Sequence, residues 1–99
     1  MAGFDIAKID EVIHGRMRLG IMAYLADAEV ADFNELKTVL SATQGNLSVH
    51  LGKLEVAGYL AIEKSFQGRK PLTRARITRR GRKAFATYLD ALGQLVGPR

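Results

Sequence analysis

Gln44-Gly45-Asn46-Leu47-Ser48-Val49-His50-Leu51-Gly52-Lys53-Leu54-Glu55-Val56-Ala57-Gly58 is the segment around which the rest of this chain is arranged. Leu47, Leu51 and Leu54 recur at i, i+4 and i+7, the spacing of one helix face, so the pattern predicts a helix over 44–57 with these leucines turned inward. Gly58 supplies a C-terminal stop and Thr43 an N-cap. The outward side is left with Gln44, Gly45, Asn46, Ser48, Val49, Gly52 and Lys53, which are small or hydrogen-bonding and concentrated in the first two turns.

Just upstream, Asp32 and Glu35 stand at capping-box spacing, and Phe33, Leu36, Val39 and Leu40 predict a helix of about two turns. Ser41-Ala42-Thr43 breaks it, so two short helices meet across about three residues. Residues 16–28 predict a third helix. Leu19, Met22 and Ala26 lie on one of its faces, Ile21, Leu25 and Ala28 on the next, and so apolar a helix belongs at the centre of a domain. Gly15 separates it from residues 5–13, where Asp5 is a candidate cap and Ile6, Ile9 and Ile13, widened by Val12, predict a short amphipathic helix.

Downstream, the period changes. Tyr59 to Lys64 reads as a strand, Phe66-Gln67-Gly68-Arg69-Lys70-Pro71 carries turn chemistry, and Leu72 to Ile77 returns as a second strand. Pro71 lacks an amide proton and belongs near the hairpin tip or on an edge. Thr78 caps a last helix with an apolar stripe of Phe85, Tyr88, Leu89, Leu92, Leu95 and Val96, and Gly97-Pro98 ends it. The expected fold is mainly α (α+β): four helices, a β-hairpin wing over about 59–77 and a C-terminal helix over about 78–96, the outline of a winged helix-turn-helix. At 99 residues the chain makes one domain, 1–99.

The net charge of +5 is unevenly spread. Residues 1–63 hold five cations against nine acids. Residues 64–89 hold nine cations (Lys64, Arg69, Lys70, Arg74, Arg76, Arg79, Arg80, Arg82 and Lys83) and no acid. Such a block attracts polyanions, nucleic acid first and an anionic membrane surface second, or else forms a solvated basic face. Cations at the start of the last helix oppose its dipole, and attraction to a polyanion is the simplest compensation. The absence of cysteine excludes disulfides and thiolate metal sites. No apolar run is long enough to span a bilayer, and the start, MAGFDIAKID, lacks a secretory pattern, so a cytoplasmic protein with no membrane role is expected.

A helix entering a major groove N-terminus first carries its base-reading groups in its opening turns. Gln44 and Asn46 suit adenine, Ser48 several acceptors and Val49 a thymine methyl. Thr43 and the neighbouring amides suit a phosphate. Gly45 and Gly52 let a groove wall come close. Arg16, Lys53, Lys64, Gln67, Arg69, Lys70 and Arg74 form the expected backbone-contacting set, with the hairpin residues on one side of the fold. Phe66 either packs at the base of the wing or touches a sugar.

Ile13-His14-Gly15-Arg16-Met17-Arg18-Leu19-Gly20-Ile21-Met22, Gly45-Asn46-Leu47-Ser48-Val49-His50-Leu51, Leu54-Glu55-Val56-Ala57-Gly58-Tyr59-Leu60, Phe66-Gln67-Gly68-Arg69-Lys70-Pro71 and Thr78-Arg79-Arg80-Gly81-Arg82 resemble a family of short winged-helix transcriptional regulators related to the MarR and ArsR groups. The resemblance covers about residues 9–92. It implies sequence-specific binding of double-stranded DNA, usually by a homodimer joined through terminal helices. The chain departs from ArsR-type metal sensors: residues 33–40 hold no cysteine and the last helix no histidine. It is short for a MarR-like effector pocket, and a small-molecule effector is left open.

The apolar stripe of the last helix exceeds what one docking side needs. Phe85, Tyr88, Leu89, Leu92, Leu95 and Val96, with Ile6, Ile9 and Ile13, are therefore the expected dimer interface. A two-fold pair would set two reading helices roughly 34–36 Å apart on a pseudo-palindromic operator. His14 and His50 stand alone in the sequence, so no metal or other cofactor is expected. No nucleophile elbow or phosphate-binding glycine loop is present, and an enzyme is not expected. The competing readings are a winged-helix protein-interaction module and an RNA-binding module without sequence-specific DNA readout.

Overall fold

The computed structural model describes residues 5–97. Met1–Phe4 and Pro98–Arg99, and with them the reading of Pro98 as part of the final stop, lie outside the described residues. A 3₁₀ turn, Ile6–Lys8, precedes α1 (Arg16–Ala28), β1 (Val30–Asp32), α2 (Phe33–Val39), α3 (Gln44–Val56), β2 (Leu60–Gln67), β3 (Lys70–Ile77) and α4 (Arg79–Val96). Helix, short turn, helix and hairpin follow in the winged helix-turn-helix order.

Three helices begin where a short polar side chain meets an orphan amide. The Asp32 carboxylate accepts from the Glu35 amide (2.8 Å), the Thr43 hydroxyl from Asn46 (3.1 Å) and the Thr78 hydroxyl from Gly81 (2.9 Å). Glu35 does not complete a reciprocal capping box; its carboxylate instead accepts from the Tyr24 hydroxyl, tying α2 to α1. That bond, rather than burial, is the leading reason the Tyr24 pKa lies above the ordinary phenol value.

The expected helix over 5–13 is replaced by the short 3₁₀ turn and a second turn at residues 11–13. The cause is Asp10. Its side chain accepts from the Val12 amide (2.8 Å) and the Ile13 amide (3.3 Å), offering the backbone an alternative to the helical ladder. Its other oxygen accepts from the Tyr59 hydroxyl. Burial, then this bond, pushes the Tyr59 pKa up to about 12, so the phenol remains a donor.

The sheet is antiparallel in the order β1-β3-β2. β1 is only three residues long, too short for alternation to mark it in the sequence; it pairs Ala31 with Ala75 of the central strand. The hairpin turn is tighter than the expected six-residue loop, because Phe66 already pairs with Pro71 and Gln67 with Lys70. Gly68 takes φ +65° at the first of two turn positions, where a II′ hairpin places glycine. Pro71 is tolerated because β1 covers β3 only at Arg74–Arg76, leaving the tip of β3 an edge.

Ile13, Ile21, Met22, Leu25, Leu36, Leu47, Leu54 and Tyr88 are fully buried and form one core with Ile9, Leu51, Leu60 and Ile77. Truncating any one of these leucines to alanine is expected to cost about 2–5 kcal/mol. α4 comes close to the sheet through Gly81, where a Cβ would sit 2.2 Å from the Tyr59 carbonyl oxygen. The radius of gyration, 14.9 Å with extents of 57 × 25 × 22 Å, exceeds the roughly 13 Å typical of such a chain length. The molecule is drawn out along one axis.

Candidate nucleic-acid interface

α3 turns Leu47, Leu51 and Leu54 into the core and leaves Gln44, Gly45, Asn46, Ser48, Val49 and Lys53 exposed. The exposed side chains do not form one uniform face. Gln44 and Ser48 border a cleft shared with Phe33 and Asn34 of α2 and with Lys64, Pro71 and Thr73 of the hairpin. Asn46 lies on the other flank, around a depression with Arg16, Leu40, Ser41 and His50. Lys53 and Val49 border a third, more apolar hollow with Glu11, Val12, Arg18 and Val56. Thr43 stands at the helix start, its hydroxyl engaged with the Asn46 amide.

The wing divides its charges between two faces, because successive strand residues alternate. Pairing sets Lys64 opposite Thr73 and Ile62 opposite Ala75, on the core side of the sheet that α3 faces. Gln67, Lys70, Arg74 and Arg76 belong to the reverse side. The expectation that the hairpin cations share one side of the fold is corrected accordingly. On that reverse side Arg74 stands in register with Asp32 on one neighbour strand and Glu63 on the other, while Arg76 bonds to Glu63 at 3.1 Å. These acids offset the field of Arg74 and Arg76. Arg69 occupies the turn, and Gln67 and Lys70 flank it, all exposed.

Phe66 is 73% exposed opposite Pro71, so of its two readings the packed wing base is excluded. Arg82 at the start of α4 is also partly engaged within the chain. It donates to the Ala26 carbonyl (3.1 Å) and lies 3.9 Å from Glu29, which compensates locally for its place at a helix N-terminus. Arg80 and Lys83 border a separate depression with Lys8, Asp10 and Tyr59.

Of the side chains expected at a subunit interface, Ile9, Ile13 and Tyr88 are corrected to core residues, exposed by 7%, 0% and 1%. They are consumed where the residue 9–14 segment docks on α4, and the His14 Nδ1 lies 2.8 Å from the Tyr88 hydroxyl. Ile6, Leu89 and Val96 remain exposed; Phe85, Leu92 and Leu95 are half-buried.

A brace that single-residue reading missed joins α1 to α3. The Arg18 guanidinium donates to the Val12 carbonyl and to the Nδ1 of His50 (2.9 Å). Burial, then the charges of Arg18 and Lys53, hold the His50 pKa below the ordinary imidazole value, which keeps this nitrogen an acceptor. Asn34 and Thr73 on the wing-side cleft were also missed. Strand alternation from Ile77 and Ala75 was the available signal for Thr73. Among the described residues no helix is long and apolar enough to cross a membrane.

Comparison with known proteins agrees with this arrangement. A family described as winged helix DNA-binding domain matches residues 17–96. An uncharacterized protein of Methanocaldococcus jannaschii is 38% identical over 85 residues, covering 86% of this chain and 92% of that protein. The structure of a transcriptional regulator homologue from Pyrococcus horikoshii OT3 superposes with a TM-score of 0.77 at 29% identity, over 92% of this chain and 95% of that one. NadR, solved in complex with 4-hydroxyphenylacetate, shares the fold with a TM-score of 0.71 at 19% identity, over 87% of this chain and 60% of its own.

Proposed function

Because this chain belongs to the winged helix DNA-binding domain family, we propose that it is a cytoplasmic transcriptional regulator that binds duplex DNA as a homodimeric repressor on a pseudo-palindromic operator. The single observation that carries this reading is the exposed side of α3. A helix whose inner face is completed by three leucines leaves Gln44, Gly45, Asn46, Ser48 and Val49 open to solvent, with Arg16 on one flank and Lys64 on the other. In this reading α3 enters the major groove and the exposed turn at Gly68-Arg69 follows the adjacent backbone. Arg16, Lys53, Lys64, Arg69 and Lys70 contact phosphates. Arg74, set between Asp32 and Glu63, contributes less.

The division between reading and anchoring is testable by quantitative binding over a salt series. Asn46→Ala flattens the preference between selected and random duplexes by about 1–3 kcal/mol where Asn46 pairs with a base. Arg69→Ala weakens binding to all sequences and reduces the salt slope by about one, whereas Arg74→Ala leaves that slope nearly unchanged. Equal behaviour of Asn46→Ala and Arg69→Ala on both DNAs, or a preference for RNA or heparin over duplex DNA, would overturn the proposal.

A further inference from the structure

At 100° per residue, Leu47, Leu51 and Leu54 define the inward direction of α3, and Val49 falls within about 15° of the opposite one. Ser48 and Asn46 lie roughly 70–90° away from that outermost line, and Gln44 farther still. The side chain that projects farthest from the core is therefore an apolar one. Val49 is 54% exposed and takes no part in the hydrophobic core. Gly45 and Gly52 lie within about 30° and 50° of the outermost direction, and an added Cβ would meet nothing within 4 Å at either. The fold does not require glycine at either place, and helix propensity disfavours it at Gly52 in the helix interior. Both leave the backbone beside Val49 open to close approach.

Resting on the DNA-binding reading above, we infer that Val49 is the specificity-determining residue of α3, and that it reads the C5-methyl group of a thymine in the floor of the major groove. Charge selects the polyanion: Arg16, Lys53 and Lys64 surround this part of the helix. Within the major groove the thymine methyl is the apolar group that a base pair displays, and a valine is its natural complement. Val56 also lies on the outer line and is 90% exposed, but it is the last residue of α3, beyond the opening turns with which a helix enters a groove N-terminus first. The contact is thus confined to the part of α3 from Gln44 to Gly52, where Val49 stands between the hydrogen-bonding flanks of Ser48 and Asn46.

The probe is a duplex enriched by the full-length protein from a randomised pool, then resynthesised with deoxyuridine replacing thymidine one position at a time. Removing one buried methyl weakens binding about fourfold per half-site. The loss is expected at one thymine in each half-site and is absent in Val49→Ala, which binds the thymine and uracil duplexes equally. Because Val49 lies outside the core, Val49→Ala retains the thermal midpoint of the parent, which is measured alongside. Enrichment of a sequence whose thymines all tolerate uracil overturns this inference alone, as does a uracil penalty that survives in Val49→Ala. Failure to enrich any sequence overturns the DNA-reading proposal and this inference with it.

Discussion

Helices α3 and α4 both expose apolar side chains, yet they leave opposite kinds of surface. In α3 three leucines vanish into the core, and the exposed side is small or polar apart from Val49 between its glycines and Val56 at the helix end. In α4 only Tyr88 and Gly81 are fully buried. Phe85, Leu89, Leu92 and Val96, spaced by four, three and four residues, form a ridge that is half-covered at Phe85 and Leu92 and open at Leu89 (49%) and Val96 (70%). A shallow face without bulky groups suits close approach to a flat, charged edge. A continuous ridge at heptad spacing suits a second helix of the same kind. The proposed dimer assigns the two surfaces different work, the nucleic acid to α3 and the other copy to α4.

The ridge is the first place to break that comparison. Leu89→Glu sets a carboxylate at its centre in both copies, each a desolvated charge or a lost apolar contact of about 2 kcal/mol. The dimer dissociation constant is therefore expected to rise by about a thousandfold, some 4 kcal/mol across the pair, as read by sedimentation over a concentration series. The monomer still folds, because Leu89 is half exposed within a single chain. An unchanged dissociation constant would leave the α4 ridge without the role assigned to it.

The anchoring end of α4 tests the same contrast from the inside. Gly81→Ala places a methyl 2.2 Å from the Tyr59 carbonyl oxygen and 3.1 Å from Ile77, and the first of these is backbone that cannot swing aside. The expected loss is about 3 kcal/mol, net of the gain in helix propensity. It is read as a fall in the urea midpoint at unchanged slope. A neutral result would mean that α4 sits farther from the sheet than its contacts indicate.

Much of this architecture is written in local signals. The leucine spacing at 47, 51 and 54, the caps at Asp32, Thr43 and Thr78, and the change of period after Gly58 need only neighbours within a few positions. What escaped depends on partners far along the chain. The isoleucines at 9 and 13 do mark a buried face, but what covers it is α4 of the same chain, through Tyr88 and His14, some 74 residues away. Asp10 stopped the helix over 5–13 with its own side chain, a choice that apolar periodicity does not register. β1 is three residues long and exists only because β3 passes beside it. The hairpin cations form one block in the sequence, and strand alternation separates Lys64 from Arg74. The hydrogen-bonding residues of α3 and the valine between them are legible residue by residue, but the outermost place of Val49 shows only in the angle around the helix.

The gentlest prediction concerns the counterpart of Gly81 on α3. Gly52 is a helix-interior glycine with open space where its Cβ would be, so Gly52→Ala should stabilise the fold by about 0.5–1 kcal/mol through helix propensity, read as a higher thermal midpoint. A glycine retained at such a position gives up stability, and the outer side of α3 is where close approach of a partner would recover it. The same substitution is accordingly expected to weaken duplex binding severalfold while raising the midpoint, so that stability and affinity move in opposite directions. Were both to rise together, backbone approach at Gly52 would play no part in recognition, and the contrast between a shallow α3 and a ridged α4 would have to rest on Val49 alone.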